Sequence, residues 1–181
     1  KKAFQNSIEK LREAGANISE ISVSSVGEAM DLTGLLYSPE AYATWRHKIE
    51  KSPDLMFEKI LERFRSGANV LAADFINAWD KLIDLRKQYH SEVEAYDAVL
   101  IPTSPIIPPE VGRLVDDGDF YNSQNLLALR NTRIGNLMGG CSITLPTHTY
   151  SCGILIMGRP NEEERLLRLA QACELVFARN R

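Results

Sequence analysis

The sequence predicts an α/β fold in which helices flank a mixed sheet. Three patterns carry this prediction: a helix, glycine and strand in succession near the start, a continuous apolar run at residues 98–101, and two short strands that lead into a leucine-rich helix. A helix, a glycine turn and a strand make a common α/β unit. A length of 181 residues suffices for one domain with a substantial core, so a single domain over 1–181 is expected.

The first third of the chain is predicted to be mostly helical. Residues 3–14 place apolar side chains on one helical face, and Gly15 is a natural C-terminal cap. Residues 18–23 alternate loosely between apolar and polar side chains and predict a strand. A further helix is expected over 26–36.

Two Ser-Pro pairs indicate further helix starts. Pro39 would occupy the first position of one helix, and Pro53 that of another helix that ends at Gly67. Residues 70–96 make the longest predicted helix. Its apolar stripe is expected to pack on the flank of a sheet rather than to bind a ligand.

The apolar run at 98–101 predicts a strand covered on both faces. Four prolines within 102–109 then take the chain away in an extended conformation. Residues 113–122 are acidic and are expected to be mobile, whereas 123–138 are expected to be helical.

The last part of the chain predicts a hairpin and a helix. Strands are expected at 141–145 and 152–157, joined by a short turn through Pro146 and His148. Asn161 is the expected N-cap of the final helix, since its side chain can accept from the first exposed backbone N–H groups.

Composition and sequence pattern disfavour several classes of partner. A net charge of -3 and a pI of about 5.7 disfavour nucleic acid, which requires a basic face. No apolar run approaches the roughly 18 residues of a membrane span, and the basic start of the chain lacks the apolar segment of a signal peptide. Three sparse cysteines fit a reducing compartment, so a cytoplasmic location is expected.

Candidate site residues lie directly after the apolar strand and within the helix that precedes the hairpin. Thr103 and Ser104 lie at a carboxyl strand end, where ligands bind in open α/β sheets. They either line a pocket or only satisfy turn amides. Asn136 either faces the substrate as part of a pocket wall or bonds to nearby backbone as a structural asparagine.

The sequence gives little support for a cysteine nucleophile, a zinc site or a nucleotide-binding loop. Cys141 and His148 would lie at opposite ends of one strand, roughly 15 Å apart at about 3.3 Å per residue, which is too far for a nucleophile and its base. Cys141, His148 and Cys152 lack the paired spacing of a zinc site, and no cofactor is expected. Phosphate-binding loops and the G-x-S-x-G pattern are absent from the sequence.

An ordered set of motifs resembles the C-terminal part of the amidase signature family, whose members are Ser-Ser-Lys amide hydrolases. The set comprises Pro-Thr-Ser-Pro at 102–105, Asn-Thr-Arg-Ile-Gly-Asn-Leu-Met-Gly-Gly at 131–140, Gly-Ile-Leu-Ile-Met at 153–157 and Gly-Arg-Pro at 158–160. Each motif is weak alone, but their order is specific. The family's G-L-P-x-G hairpin motif is replaced here by Thr-His-Thr-Tyr-Ser-Cys at 147–152.

The resemblance implies a partial amidase-signature-like fold and a parent protein that hydrolyses carboxylic amides of small molecules. The family's catalytic lysine and Gly/Ser-rich stretch have no counterpart, so no catalytic residue is assigned and the chain alone is expected to be inactive. It would pair with the missing N-terminal portion or form a homodimer.

Three alternatives stay open. One is a stand-alone, non-catalytic binding or assembly module on the same scaffold. Another is a cysteine-dependent enzyme that uses Cys141. The third is the amidotransferase branch of the same family.

Overall fold

The computed structural model describes residues 1–179, which contain nine helices and three strands. In chain order the helices are α1 (Lys2–Glu13), α2 (Ser24–Asp31), α3 (Thr33–Ile49), α4 (Glu58–Ser66), α5 (Ala72–Glu92), α6 (Val111–Asp116), α7 (Gly118–Ala128), α8 (Arg130–Met138) and α9 (Glu163–Arg179). The strands are β1 (Val99–Pro102), β2 (Ser142–Pro146) and β3 (Gly153–Met157), and two 3₁₀ turns cover Pro53–Leu55 and Gly67–Asn69.

The three strands form one sheet in the order β1-β3-β2. Both strand pairs are antiparallel, with Leu100 opposite Ile156 on one side and Ile143 opposite Ile156 on the other. The predicted α/β class is therefore confirmed, as are the three strand positions, although both strand pairs within the described residues are antiparallel where the sequence predicts a mixed sheet. β1 is half-buried along its length, whereas the central strand β3 carries the deeply buried run that was expected of β1.

Helices α1 and α9 cover one face of the sheet. The pleat directs Ile154 and Ile156 of β3 to this face, where both are fully buried. The core cluster that they join also contains Leu11, Leu145, Leu166, Ala170, Cys173 and Phe177. Burial of an aliphatic side chain of this size stabilises the fold by about 1.5–3 kcal/mol, so this face anchors the sheet.

The described residues divide into two compact units. The first unit combines Lys1–Val23 with the segment from Tyr89 onward, and the second unit is Ser24–Gln88. The boundary falls inside the continuous helix α5. A division by compactness does not establish separately folding domains, so the single domain over 1–181 stays a prediction.

The helix start predicted at Pro39 is wrong, because Pro39 lies inside α3. A proline there removes one intrahelical hydrogen bond, and tertiary contacts must compensate. The 3₁₀ turn Gly67–Asn69 packs directly against this part of α3: a Cβ on Gly67 would lie only 2.1 Å from the carbonyl oxygen of Ser38. Packing within the second unit thus overrides the local signal of the Ser-Pro pair.

Other boundaries in the second unit also differ from expectation. The helix predicted over 26–36 is divided between α2 and α3, and the hydroxyl of Thr33 donates to the Met30 carbonyl at 2.9 Å near the break. Pro53 begins a 3₁₀ turn instead of a long helix. Gly67 does follow the end of α4, as predicted.

The strand predicted over 18–23 is wrong, since these residues pair with none of the described strands. Alternation indicates which side chains face inward, but it cannot supply a neighbouring strand. Ile18 instead packs against the core cluster. Within residues 1–179, no helix combines the length and apolar character needed to cross a membrane.

The acidic segment 113–122 forms most of α6 and the start of α7, and its predicted mobility stays a prediction. Asp117 caps α7 by accepting a hydrogen bond from the Phe120 N–H at 2.9 Å. The Arg113 guanidinium stacks 3.8 Å from the centre of the Phe120 ring. These local contacts explain why an acidic stretch is helical here.

The expected N-cap at Asn161 is also wrong. Asn161 has a φ of 62° and makes a left-handed turn before the helix. Glu162 precedes α9 instead, and its carbonyl accepts the first helical bond from the Leu166 N–H at 2.9 Å. The prediction of a final amphipathic helix at this position is confirmed.

Candidate functional site

An open cavity of about 530 Å³ lies where β1 ends and β3 begins, entirely within the first unit. We call it the strand-end cavity. Its lining consists of Lys1, Ala3, Phe4, Pro102, Thr103, Ser104, Pro105, Ile106, Ile107, Thr144, Pro146, Thr149, Ser151, Cys152 and Gly153. The volume lies within the range of small-molecule pockets, and a few polar groups in an apolar surround are typical of such sites.

Thr103 is placed by the sheet. Its N–H donates to the Gly153 carbonyl at 3.0 Å, so it continues the β1–β3 register by one residue. Its Oγ1 donates to Oγ1 of Thr144 at 3.3 Å, although β1 and β2 are separated by β3. The two threonines therefore form a hydroxyl pair over the central strand.

Gly153 makes this hydroxyl pair sterically possible. A Cβ at Gly153 would lie 2.7 Å from Oγ1 of Thr103 and 2.9 Å from Cγ2 of Thr144. Both distances are below ordinary van der Waals contact. A side chain at this position would therefore force the two threonine side chains to shift, so glycine leaves room for the hydroxyl pair.

Ser104 lines the cavity and also closes a turn. Its Oγ accepts from the Ile106 N–H at 3.4 Å, which is a long hydrogen bond. The structure thus agrees with both interpretations offered for Ser104, a lining residue and a turn hydroxyl. Prolines on either side, Pro102 and Pro105, limit the backbone freedom of this segment.

Asn136 does not join the other two predicted residues. It is exposed on α8 and is not among the residues that line the strand-end cavity. Its backbone carbonyl accepts from the Gly139 N–H at 3.3 Å, where Gly139 ends the helix with a φ of 69°. Its assignment to a pocket wall stays a prediction.

Sequence reasoning missed Asn131 as a site residue. Its Nδ2 donates to the Pro102 carbonyl at 2.6 Å and thereby ties α8 to the backbone just before Thr103. Asn131 opens the asparagine-threonine motif at 131–140, so that motif was the available signal. The motif contributes this bond through its first asparagine, whereas the prediction had selected Asn136.

The hairpin turn forms the far rim of the cavity. Oγ1 of Thr147 donates to the Cys152 carbonyl at 2.9 Å, and the Cys152 N–H donates to the Thr149 carbonyl at 3.1 Å. His148 and Ser151 both adopt left-handed backbone angles, with φ of 59° and 57°. Internal hydrogen bonds thus hold the turn that replaces the glycine-rich family motif.

Cys141 and His148 lie beyond opposite ends of β2, as the sequence predicts. The Cys141 Sγ donates to the Arg159 carbonyl at 3.1 Å, a structural contact. Among the described residues, no group of three or more histidine, cysteine or acidic side chains could hold a metal ion.

The titratable groups with shifted pKa values lie outside the strand-end cavity. Burial raises the pKa of Tyr89 to about 12, and burial also raises the pKa of the Cys173 thiol. The cavity lining itself holds hydroxyls, one thiol and the exposed Lys1, but no histidine or carboxylate among the residues that the structure describes. This arrangement can bind an uncharged polar group, but its described lining offers no histidine or carboxylate base to activate a nucleophile.

Comparison with known proteins consistently finds amidases and related enzymes. A family model described as Amidase matches residues 1–167. Similar curated proteins include a 2-amino-5-chloromuconic acid deaminase of Comamonas testosteroni, 28% identical over 97% of this chain, and an amidase of Pseudomonas putida, 26% identical over 95%. The chain spans only 39% and 38% of their lengths.

Another similar protein is a glutamyl-tRNA(Gln) amidotransferase subunit of Desulforamulus reducens, 29% identical over 92% of this chain and 39% of its own length. Among solved structures, Kluyveromyces lactis allophanate hydrolase superposes with a TM-score of 0.83 at 19% identity, over 97% of this chain and 29% of that one. A 6-aminohexanoate cyclic dimer hydrolase gives 0.76 at 22% identity, over 97% and 41%. These structures share the partial fold.

Proposed function

Because the chain belongs to the Amidase family, we propose that it is the C-terminal portion of an amide hydrolase and forms one wall of that enzyme's substrate pocket. The observation that carries the proposal is the family match over residues 1–167 in a chain that spans about two fifths of its relatives. The whole protein would hydrolyse carboxylic amide C–N bonds.

The proposed division of labour follows from the side chains of the strand-end cavity. Amide hydrolysis needs a nucleophile, a base that takes its proton and donors for the developing oxyanion. The described lining of the cavity holds hydroxyls but no histidine or carboxylate base, and Lys1, its one lysine, is exposed. The nucleophile and base would therefore come from another portion of the enzyme, while Thr103 and Ser104 orient the substrate.

The proposal also includes a role for Asn136, a partner for the chain and a cellular location. Asn136 would contribute to the pocket wall from the exposed side of α8. The partner of the chain would be the N-terminal portion of the enzyme, or a second copy of the chain. A cytoplasmic location is supported by three cysteines that are all unpaired.

The test compares the 181-residue chain with the product of the complete reading frame that encodes it. Intact mass under denaturing conditions should give 20.3 kDa for the chain and more than twice that for the native protein, since the relatives are more than twice as long. Ammonia release from a simple carboxamide should appear only with the longer protein. Ammonia release by the isolated chain that persists through purification would refute the proposed division of labour.

A threonine variant tests the pocket wall in the longer protein. Thr103→Val removes one hydroxyl but keeps the β-branched shape, so KM should rise by roughly 2- to 10-fold with little change in kcat. Thr33→Val, at the start of α3 and outside the cavity, is the matched control and should leave KM unchanged. A native protein of 20.3 kDa without hydrolytic activity would instead favour the non-catalytic module.

A further inference from the structure

Strand β2 and helix α9 form an open groove of about 410 Å³ on one side of the first unit. We call it the edge groove, and its lining is Ile143, Leu145, Glu164, Leu167, Arg168, Ala170, Gln171 and Glu174. We propose that a second copy of the chain docks here across a two-fold axis, so that β2 pairs with β2 and α9 packs against α9. The inference goes beyond the proposed function, since it holds whether or not the longer protein hydrolyses amides.

The outer edge of β2 offers free directions for backbone hydrogen bonds. In the order β1-β3-β2, only one edge of β2 is paired within the described residues. The Cys141 carbonyl accepts from the Gly158 N–H at 2.8 Å, just beyond the ends of β2 and β3. Because successive residues of an antiparallel strand bond to opposite sides, Ser142 and Thr144 direct their N–H and C=O groups away from β3. An edge of this kind is a template for a further strand.

A second β2 fits this edge in an antiparallel register centred on Ile143. In that register Ser142 lies opposite Thr144 of the second copy, and the two residues exchange both of their N–H···O=C bonds. Every outward N–H group of Ser142 and Thr144 is then bonded in both copies. Pro146 has no N–H and falls outside the paired stretch, which keeps the pairing short.

The flank of α9 in the edge groove carries a stripe suited to helix packing. Glu164, Leu167, Gln171 and Glu174 are spaced alternately by three and four residues, as in helices that pack side by side. Leu167 leaves 58% of its surface exposed. The two-fold axis that makes the β2 strands antiparallel also makes the α9 helices antiparallel, so the same stripe faces itself.

This stripe is complementary to itself when the helices cross at Gln171. Leu167 and Leu175 are equally distant from Gln171 along the chain, so each would face the other in the second copy. Leu175 is also largely exposed, at 55%. Arg168 and Glu174 have the same relation to Gln171 and would form an ion pair between the copies. Apolar and charged groups thus match in one register.

Glu164 is the remaining charged residue of the edge groove. Its carboxylate lies 2.7 Å from the Arg168 guanidinium in the same helix, and both side chains are exposed. Such a pair contributes little by itself, so Arg168 can bridge Glu164 and Glu174 of the second copy. Both acidic side chains of the described lining would then contact an arginine.

The size of the surface predicts a weak dimer. Helix α9 has 17 residues and is therefore roughly 25 Å long. The side of one helix layered on a sheet is about 20 Å high, so two copies would bury roughly 1,000 Å² in total, at the low end of specific interfaces. We expect a Kd on the order of micromolar.

Sedimentation velocity measures the oligomeric state of the longer protein and of the 181-residue chain across the micromolar range. Both should exchange between monomer and dimer. Leu167→Lys should weaken the dimer at least roughly 10-fold, because it places an ammonium group against leucine. Ser142→Pro should weaken it similarly by removing one outward N–H group. Leu126→Lys in α7, at 47% exposure, is the matched control and should change neither the Kd nor the thermal midpoint.

A charge exchange tests the pairing of the two helices. Arg168→Glu and Glu174→Arg should each weaken the dimer, since each variant sets like charges opposite one another. The double variant that carries both changes should return the Kd to within roughly threefold of the original value. A nonspecific apolar surface would show no such recovery.

Several results would overturn the inference. These are a longer protein that stays monomeric across the micromolar range, a dimer that withstands both Leu167→Lys and Ser142→Pro, or a double variant no tighter than the single charge variants. A monomeric longer protein beside a dimeric 181-residue chain would assign the edge groove to the N-terminal portion of the enzyme. Ammonia release is a separate measurement, so its absence would refute the proposed function and leave the dimer standing.

Discussion

Asn131 connects a helix to a strand end through one side-chain hydrogen bond. Its donation to the Pro102 carbonyl fixes the backbone that presents Thr103 to the strand-end cavity. Asn131→Ala should cost about 1 kcal/mol of unfolding free energy, because the half-buried carbonyl loses its partner. Urea denaturation measures this loss. Asn122→Ala in α7 is the matched control, and equal effects of the two variants would show that the Asn131 bond contributes nothing specific.

The three cysteines should differ in reactivity. Cys173 is 8% exposed and burial raises the pKa of its thiol, so its reactive thiolate is scarce at about pH 8. Cys141 and Cys152 are partly exposed. A disulfide reagent should therefore label two thiols per native chain quickly and the third only after unfolding.

The variant Cys173→Ala provides the control for thiol labelling. It should leave the fast amplitude at two thiols and abolish the slow one. A fast amplitude of three thiols in the unsubstituted protein would contradict the burial of Cys173.

Among individual residues, the sequence predicted those that directly follow a strand. It missed those whose importance depends on a hydrogen bond to a residue far away along the chain. Thr103 and Ser104 were found because both follow an apolar run directly. Thr144 and Asn131 were missed because neither follows such a run, and their bonds to Thr103 and Pro102 join residues 41 and 29 positions apart. Such pairs exist only once the sheet and α8 have assembled.

Close packing of α3 against the turn Gly67–Asn69 gives a test at the scale of elements. Gly67→Ala should lose at least about 2 kcal/mol of unfolding free energy, because the added methyl group would overlap backbone atoms of Ser38 and Pro39. Thermal or urea denaturation reports the change.

Gly27→Ala is the matched control in the same unit. A Cβ at Gly27 would meet nothing within 4 Å, and alanine is favoured over glycine inside a helix by roughly 0.5–1 kcal/mol. The control should therefore be neutral or stabilising. A Gly67→Ala variant as stable as Gly27→Ala would mean that the turn moves away without cost.

Elements with a regular pattern and their own boundary signals could be predicted from the sequence. Helix α1 and the strands β2 and β3 fall within a residue or two of expectation. The strand predicted over 18–23 failed because a strand also needs a partner, which periodicity does not encode. The helix start at Pro39 failed because tertiary packing within the second unit tolerates a proline inside α3.

The free energy of unfolding should decrease at alkaline pH because the phenol of Tyr89 is buried. Burial raises its pKa from an ordinary 10 to about 12 in the folded protein. Below about pH 10 both states keep the phenol proton, so its contribution to stability is fully present. Between about pH 10 and 12 the unfolded chain loses the proton more readily than the folded protein. The folded protein therefore loses up to about 3 kcal/mol of stability, at about 1.4 kcal/mol for each unit by which the pKa is raised.

Urea denaturation as a function of pH measures this effect. Tyr89→Phe should flatten the alkaline decline, since the group that titrates is removed. Tyr150→Phe is the control, because 96% of the Tyr150 surface is exposed, and it should keep the decline of the unsubstituted protein. An unchanged decline in Tyr89→Phe would assign the alkaline sensitivity to other groups.

The family could be inferred for the whole molecule because its motifs recur in a fixed order, although each motif alone is short. The family match over residues 1–167 confirms that inference. The strand-end cavity could not be predicted with equal success. Its lining gathers residues from the start of α1, the end of β1 and the hairpin, and only the assembled sheet brings these segments together.

The strand order β1-β3-β2 has a consequence for synthesis on the ribosome. The central strand is the last of the three to be translated, and β1 and β2 have no contact through backbone hydrogen bonds except by way of it. Until Met157 has left the exit tunnel, β1 and β2 both lack their pairing with β3. The nascent chain therefore passes through an interval in which both apolar strands lack the partner that they have in this sheet, and unpaired strands of this kind are prone to aggregation.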